Sequence, residues 1–236
     1  MVRSTPLQSR CSNCALRHVC LPLDLSKEEV EKLDSVIYFR RLVKRGQAIY
    51  RAGSAFESIY AVRFGSFKTV ILHNDGREQV TGFQMTGELL GLDGISAEKH
   101  TCDAIALEDS ELCVIPFQHL EALCREREQI QRHVHKIMST EIVRESGLML
   151  LLGNMRAEER LAIFLLNLSQ RFKVRGYSSL EFQLRMTREE IGNYLGMKLE
   201  TVSRTFSKFQ NDGLISTNLK QIRILDIHRL QSLIRR

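Results

Sequence analysis

Hydrophobic and polar residues alternate in short runs between about residue 37 and residue 117. Three of these runs cover residues 58–63, 66–72 and 111–116, and glycines recur between such runs at positions 46, 53, 65, 76, 82, 87, 91 and 94. A period of two is typical of half-buried strands, and glycine suits the turns that join them. The segment 74–77 contains Asp75-Gly76, a pair that favours a tight hairpin turn. We therefore predict a small antiparallel, jelly-roll-like β-roll, within a sensor domain of residues 25–117.

Two flanking stretches have a helical pattern instead. Before the roll, Ser26 and Glu29 form a capping box that predicts a short helix over residues 25–35. After the roll, apolar residues recur at steps of three and four, which predicts one long helix over residues 118–153. Its apolar stripe is longer than a small domain needs, which favours a coiled-coil-like dimer seam over simple packing on the roll. The predicted dimer-interface residues are Ile130, Val134, Ile137, Met138, Ile142, Glu145 and Met149.

The last third of the chain, residues 154–236, is predicted to be a winged helix-turn-helix. A helix over residues 157–172 is followed by two short helices, one capped by Thr187 with Glu190 and ending at Gly196, the other covering residues 199–211. Residues 214–225 resemble a hairpin wing. The fold class is thus α+β, with a cysteine-rich segment at residues 1–24, the roll, the long helix and this last domain.

The second short helix has one apolar and one polar face. Its predicted inward residues are Leu199, Val202, Phe206 and Phe209. Its exposed residues include Glu200, Ser203, Arg204 and Lys208, and arginine and glutamate are side chains that read guanine and cytosine edges in the major groove. With Thr187 they form the predicted DNA-binding set. The alternative is that Glu200 and Arg204 form only a surface ion pair.

Charge supports a polyanionic partner for this domain. Residues 155–236 contain 15 Lys and Arg against 8 Asp and Glu, a net +7, while the whole chain is +6. Localised positive charge is typical of nucleic-acid binding. The chain has no recognisable nucleophile motif, glycine-rich phosphate loop or H-E-x-x-H motif, which argues against an enzyme.

Three cysteines, Cys11, Cys14 and Cys20, lie within ten residues of one another near the start of the chain. The first ten residues lack the apolar core of a signal peptide, and no apolar run reaches membrane-spanning length, so we expect a cytoplasmic protein with no membrane partner. In a reducing compartment clustered thiols favour a metal site over disulfides. Three thiols are one short of a closed site.

Several segments resemble the CRP/FNR superfamily of bacterial transcription regulators, and its oxygen-sensing FNR/ANR branch in particular. These are Ile191-Gly-Asn-Tyr-Leu-Gly, Glu200-Thr-Val-Ser-Arg204, Ala157-Glu-Glu-Arg-Leu-Ala, Gln79-Val-Thr-Gly-Phe83 and Cys113-Val-Ile-Pro-Phe117. The resemblance extends over nearly the whole chain.

The resemblance implies a function and a ligand set. In that branch a C-x2-C-x5-C run, here Cys11, Cys14 and Cys20, joins a cysteine before Ile-Pro-Phe, here Cys113, to hold a four-iron four-sulfur cluster. The cluster-loaded homodimer would bind an inverted repeat of TTGAT-like half-sites and control anaerobic genes, and oxygen, the signal, would yield inactive monomers. The alternative is a regulator of the same superfamily with a structural zinc in the four-cysteine site, or with a different effector.

The same resemblance implies two further expectations. The surface turn Asp75, Gly76, Arg77 and Glu78 would contact RNA polymerase, although Arg77 departs from the acidic residues of relatives. No cyclic nucleotide is expected, because Asp103 stands in the Thr101–Ala104 stretch where nucleotide-binding relatives place an arginine on the phosphate.

Glu145 lies in register with the apolar stripe of the long helix. Two copies of it would meet across a two-fold axis, and like charges about 4 Å apart repel by about 1–4 kcal/mol. We therefore predict a dimer poised between association and dissociation. The alternative is that Glu145 is solvated at the edge of the seam.

Overall fold

The computed structural model describes residues 10–14, 17–20, 25–37, 39–73 and 75–234. The chain divides into two compact units, Met1–Ile142 and Val143–Arg236, which are described separately below. In the part of the chain so described, no helix combines the length and apolarity needed to cross a bilayer.

The first unit begins with the cysteine segment. A 3-10 turn at Cys11–Asn13 is followed by the short helix α1 (Arg17–Cys20) and by α2 (Lys27–Val36). The capping box that starts α2 is confirmed, because the Ser26 hydroxyl accepts from the Glu29 amide while the Glu29 carboxylate accepts from the Ser26 amide. The buried side of α2 carries Val30 and Leu33.

Two four-stranded antiparallel sheets form the predicted roll. Their strands are β1 (Phe39–Val43), β2 (Ala48–Tyr50), β3 (Ser58–Phe64), β4 (Ser66–Leu72), β5 (Glu78–Met85), β6 (Leu89–Leu90), β7 (Asp103–Ala106) and β8 (Ser110–Pro116). One sheet has the order β1-β8-β3-β6 and the other β2-β7-β4-β5. Val62, Phe67 and Leu112 are fully buried in its core. The β4–β5 hairpin is confirmed, with Gly76 at φ +83°.

The prediction of one helix after the roll is wrong. The chain forms α3 (Phe117–Glu126) and then α4 (Glu128–Asn154), separated by Arg127 in an extended conformation. Arg127 forms an ion pair with Glu28, with 3.0 Å between Nη2 and Oε1. A residue with extended backbone angles cannot continue the helical hydrogen-bond ladder, so α3 ends at Glu126 and a separate helix starts at Glu128.

The prediction that Ile130 lies in the dimer interface is also wrong. It is 3% exposed and packs with Leu33, Ile59, Leu120 and other residues of its own unit. At this end of α4, the apolar residues that suggested a dimer interface are buried in the core of the single chain. Further along α4 the stripe becomes exposed, and Ile142 and Met149 are 63% and 71% accessible.

The second unit contains the predicted helix-turn-helix. Its elements are α5 (Ala157–Val174), β9 (Glu181–Gln183), α6 (Arg188–Leu195), α7 (Leu199–Asn211), β10 (Ile215–Asn218), β11 (Gln221–Ile224) and α8 (Ile227–Ser232). The wing is a three-stranded sheet in the order β10-β11-β9, and neither β9 nor α8 was predicted. The predicted bounds of α7 are confirmed. Gly196 ends α6 with φ +61°, as an αL cap requires.

Leu199 does not lie on the inward face of α7. It is 44% exposed, whereas Val202, Phe206 and Phe209 are buried as predicted and Thr205 is buried with them. Leu199 is the first residue of the helix, where the chain enters from the turn. The short Thr205 side chain is buried because its hydroxyl donates to the Thr201 carbonyl within the helix.

Candidate functional site

The four predicted cluster ligands, Cys11, Cys14, Cys20 and Cys113, line one cavity in the first unit. Most of its other walls are apolar and come from α2, the roll and α4. They include Leu33, Ile37, Ile59, Ala61, Leu89, Ile115, Ile130, Val134 and Ile137. Sequence spacing could join Cys113 to the other three only through resemblance, whereas the fold brings all four to the same space.

Strand β8 places Cys113 opposite Arg40 of β1 and Ala61 of β3. Its side chain is 9% exposed and belongs to a small apolar cluster with Ile37 and Ala61, against which Cys11 also packs. Cys113 is therefore fixed by sheet register, and Cys11 is brought to it by packing.

Two contacts anchor the cysteine segment. At its start, the Asp34 carboxylate on α2 accepts hydrogen bonds from the Cys11 amide, the Ser12 amide at 3.4 Å and the Ser12 hydroxyl at 2.7 Å. At its end, the carbonyl oxygen of Cys20 lies 3.1 Å from Nε2 of His133 on α4. Helices on two sides of the cavity thus hold the segment that carries three of the four thiols.

Burial raises the pKa of Cys11 to about 12, and the neighbouring Asp34 carboxylate and the other three cysteines add to this rise. This environment favours the neutral thiol of Cys11 over its thiolate. A bound metal group would have to displace that proton, because metals bind the thiolate.

The donor set fits an iron–sulfur cluster. Among the described residues, no group of three Cys, His, Asp or Glu side chains forms a ready-made site for a single ion. The four thiols line one apolar cavity, and four cysteine thiolates are the ligand set that an iron–sulfur cluster takes. Thiolates are also the ligands that iron–sulfur clusters require.

The two remaining cysteines do not line this cavity. Cys102 is buried and its thiol donates to Asp93 at 3.5 Å; burial and this carboxylate raise its pKa to about 12. Cys124 lies half-buried on α3, where burial also raises its pKa. Both suit the role of ordinary packed thiols.

Asp93 forms the centre of a second polar cluster in the roll. Its carboxylate accepts hydrogen bonds from the Thr101 amide at 2.7 Å, the Cys102 amide at 3.4 Å and the Tyr50 hydroxyl at 3.3 Å. His100, which stacks on Tyr50 with 3.6 Å between ring centroids, lies 3.4 Å from the same carboxylate. The Asp93 carboxylate thus accepts the hydrogen bonds of two backbone amides, those of Thr101 and Cys102, in the Thr101–Ala104 stretch.

The predicted polymerase-contacting turn projects from the roll with its charges paired. Arg77 contacts Asp75 at 2.7 Å between Nη2 and Oδ2, and its backbone amide donates to the same carboxylate at 3.1 Å. These bonds lower the pKa of Asp75. Residues 75–78 are all exposed.

The predicted base-reading residues Glu200, Ser203 and Arg204 are all exposed on α7. The other two members of the predicted set have partners within the domain. Lys208 forms an ion pair with Glu158 of α5, which raises the lysine pKa. Thr187 caps α6, since its hydroxyl accepts from the Glu190 amide at 3.1 Å.

Two arginines that the sequence reading missed support this surface. The Arg188 guanidinium lies 3.0 Å above the ring centroid of Phe206, so the first residue of α6 is held on the buried side of α7. Burial lowers the Arg188 pKa to about 10. Arg160 of α5 donates to carbonyls at the ends of two helices: Leu152 and Met155 near the end of α4, and Leu195 at the end of α6.

The predicted dimer positions on α4 divide into two groups. Ile130 is buried in the core, and Val134, Ile137 and Met138 are partly buried. Ile142, Glu145 and Met149 are exposed, together with Val143 and Leu150 beside them. The exposed group is the part of the stripe that a second copy could cover.

The sequence matches the Crp-like helix-turn-helix domain over residues 159–233 and the cyclic nucleotide-binding domain over residues 40–127. It is 45% identical to the transcriptional activator protein anr of Pseudomonas aeruginosa over 95% of this chain and 92% of that protein. The chain belongs to the Crp/FNR family. Its fold agrees with membership, because a jelly-roll-like domain, a long helix and a helix-turn-helix follow in that order.

Further relatives agree with the Crp/FNR assignment. The transcriptional regulatory protein btr of Bordetella pertussis is 47% identical over 99% of this chain and 98% of its own length. Among solved structures, FixK2 from Bradyrhizobium japonicum has a TM-score of 0.76 and 30% identity, covering 82% of this chain and 96% of that one. The Crp/FNR chain described here is accordingly a DNA-binding transcription regulator and not an enzyme.

Proposed function

We propose that this regulator senses oxygen through a four-iron four-sulfur cluster held by Cys11, Cys14, Cys20 and Cys113, and that the cluster-loaded homodimer controls anaerobic gene expression. The observation that carries the proposal is the convergence of these four thiols on one apolar cavity. The relatives add support, since one at 40% identity is the anaerobic regulatory protein of Haemophilus influenzae.

The bound cluster would supply the oxygen-reactive group of the protein. Contacts within the protein connect that site to α4, the helix with the predicted dimer-interface residues. His133 on α4 contacts the Cys20 carbonyl, and Ile130 and Val134 of the same helix pack against the core next to the cavity. Ordering the cysteine segment would therefore stabilise one position of α4.

Beyond these contacts α4 presents an exposed apolar stripe interrupted by Glu145. Burying that stripe against a second copy favours a dimer, while the two Glu145 carboxylates oppose it. Because these two effects oppose each other, a modest ordering of the cysteine segment is enough to shift the equilibrium between monomer and dimer.

A two-fold dimer presents two α7 helices to successive major grooves, so its operator is an inverted repeat. We assign the base contacts to Glu200, Ser203 and Arg204, with TTGAT-like half-sites as the family resemblance implies. Lys208 and Thr187 would contact phosphates from beside this surface. The turn at residues 75–78 remains our candidate for the RNA polymerase contact.

We do not assign a cyclic nucleotide to the roll, although residues 40–127 match a cyclic nucleotide-binding domain. Asp93 accepts the hydrogen bonds of the Thr101 and Cys102 amides, and Asp103 lies beside them. A phosphate entering there would meet the Asp93 carboxylate, and the neighbouring Arg51 is already paired with Asp103, with 2.5 Å between Nη1 and Oδ2.

An anaerobic absorption spectrum, followed by operator binding before and after exposure to air, tests the proposal. We expect a broad visible band that air bleaches, with DNA affinity lost in parallel. A colourless protein with one zinc per chain would refute the cluster and support the structural-zinc alternative. A coloured protein whose operator affinity is the same before and after exposure to air would refute oxygen sensing.

A further inference from the structure

Asp34 contacts the cysteine segment more closely than its position in the sequence suggests. It lies near the end of α2, more than twenty residues from Cys11, yet its carboxylate accepts three hydrogen bonds from Cys11 and Ser12. The 3-10 turn Cys11–Asn13 carries no side-chain cap of its own. Asp34 therefore supplies the polar anchor of a turn that brings Cys11 to the cavity.

The same carboxylate is electrostatically unfavourable for a metal group. Four thiolates around an iron–sulfur cluster or a divalent ion leave a net negative charge, which a nearby carboxylate repels. The hydrogen bonds of Asp34 thus favour formation of the site, while its negative charge opposes binding of the metal group.

We propose that Asp34 is a positioning residue of the cysteine site that preorganises the Cys11–Asn13 turn while its negative charge weakens retention of the bound metal group. The inference rests on the proposed four-cysteine site. Asp34 thereby makes a site that assembles readily and also empties readily, which is the behaviour a reversible sensor requires.

Two substitutions separate the two roles. In Asp34→Asn the side-chain oxygen can still accept from the Cys11 amide and the amide group can donate to the Ser12 hydroxyl, but the charge is gone. In Asp34→Ala both the anchor and the charge are lost. Glu31→Gln removes an exposed carboxylate from the same helix and serves as the matched control.

The first measurement is Co²⁺ binding to the apo full-length protein under anaerobic conditions, followed through the thiolate-to-cobalt absorption band. We expect Asp34→Asn to bind about 3- to 10-fold more tightly than the wild type, from the removal of one neighbouring charge. Asp34→Ala should bind more weakly than Asp34→Asn, and Glu31→Gln should match the wild type. Equal affinities for all four proteins, or a weaker Asp34→Asn, would overturn the proposal.

The second measurement needs no metal. Trypsin cleavage after Arg10 and Arg17 in the apo protein should accelerate in Asp34→Ala and stay near the wild-type rate in Asp34→Asn, because the amide preserves the anchor. Identical cleavage of all variants would refute the positioning role. Failure of the wild type to bind either Co²⁺ or a reconstituted iron–sulfur cluster through these thiols would instead refute the proposed site, so the two failures are distinguishable.

Discussion

Replacing Arg160 should weaken the DNA-binding unit, because this side chain connects the ends of two helices. Its guanidinium donates to the Met155, Leu152 and Leu195 carbonyls at 2.8, 2.9 and 2.9 Å, and to the Gly196 carbonyl at 3.4 Å. The last carbonyls of a helix have no partner within the helix. One planar cation therefore satisfies the ends of two helices, α4 and α6.

The magnitude follows from these bonds. A hydrogen bond from a charged donor contributes about 1.5–3 kcal/mol, so three good bonds set an upper limit of several kcal/mol. Arg160 is only partly buried, and the released carbonyls regain some water. We expect Arg160→Ala to cost about 3 kcal/mol and Arg160→Lys about half of that, because one ammonium cannot reach both helix ends.

The assay is amide hydrogen exchange within α6, which reports the local stability of this unit in the full-length protein. Urea unfolding followed by circular dichroism gives the accompanying global value. Lys173→Ala, a change of an exposed cation on the same helix α5, is the control. Protection factors in α6 that stay within about two-fold of wild type in Arg160→Ala would refute the reasoning, whatever the DNA affinity does.

Three further outcomes are expected. Arg204→Ala should cost about 1–3 kcal/mol in operator binding at one base position, as measured on operators substituted one base pair at a time; an equal loss on every sequence would make Arg204 a phosphate contact. Glu145→Ala should dimerise without a cluster in analytical ultracentrifugation, and a monomeric variant would remove the repulsion argument. Cys113→Ser should abolish the visible absorption of the anaerobic protein while Cys102→Ser retains it, so a coloured Cys113→Ser protein would contradict the ligand assignment.

Local signals predicted much of the fold. Capping boxes at Ser26 and Thr187 located the starts of two helices, because a cap is a hydrogen bond between residues three positions apart and can be read directly. The α7 bounds and the β4–β5 turn follow from similarly local chemistry. The strand β9 was missed because its three residues gain their pairing from β11, almost forty residues away.

The errors have the same physical origin. An apolar stripe indicates that one face of a helix is buried, but not which surface covers it. We therefore predicted that a second copy covers Ile130, whereas the core of its own chain does. The break at Arg127 has no glycine or proline to mark it, and the ion pair that Arg127 forms there is with Glu28, ninety-nine residues away. Contacts at such separation leave no local pattern.

The candidate site was predicted unevenly. The cysteine spacing indicated three ligands, and only family resemblance pointed to Cys113, since sheet register decides which residue of β8 approaches the segment. Neither Asp34 nor His133 could have been selected, because each acts through a backbone group of a distant residue. Arg160 was missed for the same reason, and Arg188 was missed because its contact is with the ring of Phe206 on another helix.

The exposed half of α4 makes protein abundance part of the response. Its apolar residues Ile142, Val143, Met149 and Leu150 lie open to solvent in the single chain. If a second copy is what covers them, occupancy of an operator depends on the square of the monomer concentration, and the signal needed for half-response shifts with expression level. Under the oxygen response proposed above, cells that make more of this protein would then respond to a smaller fall in oxygen, without any change in the cysteine site itself.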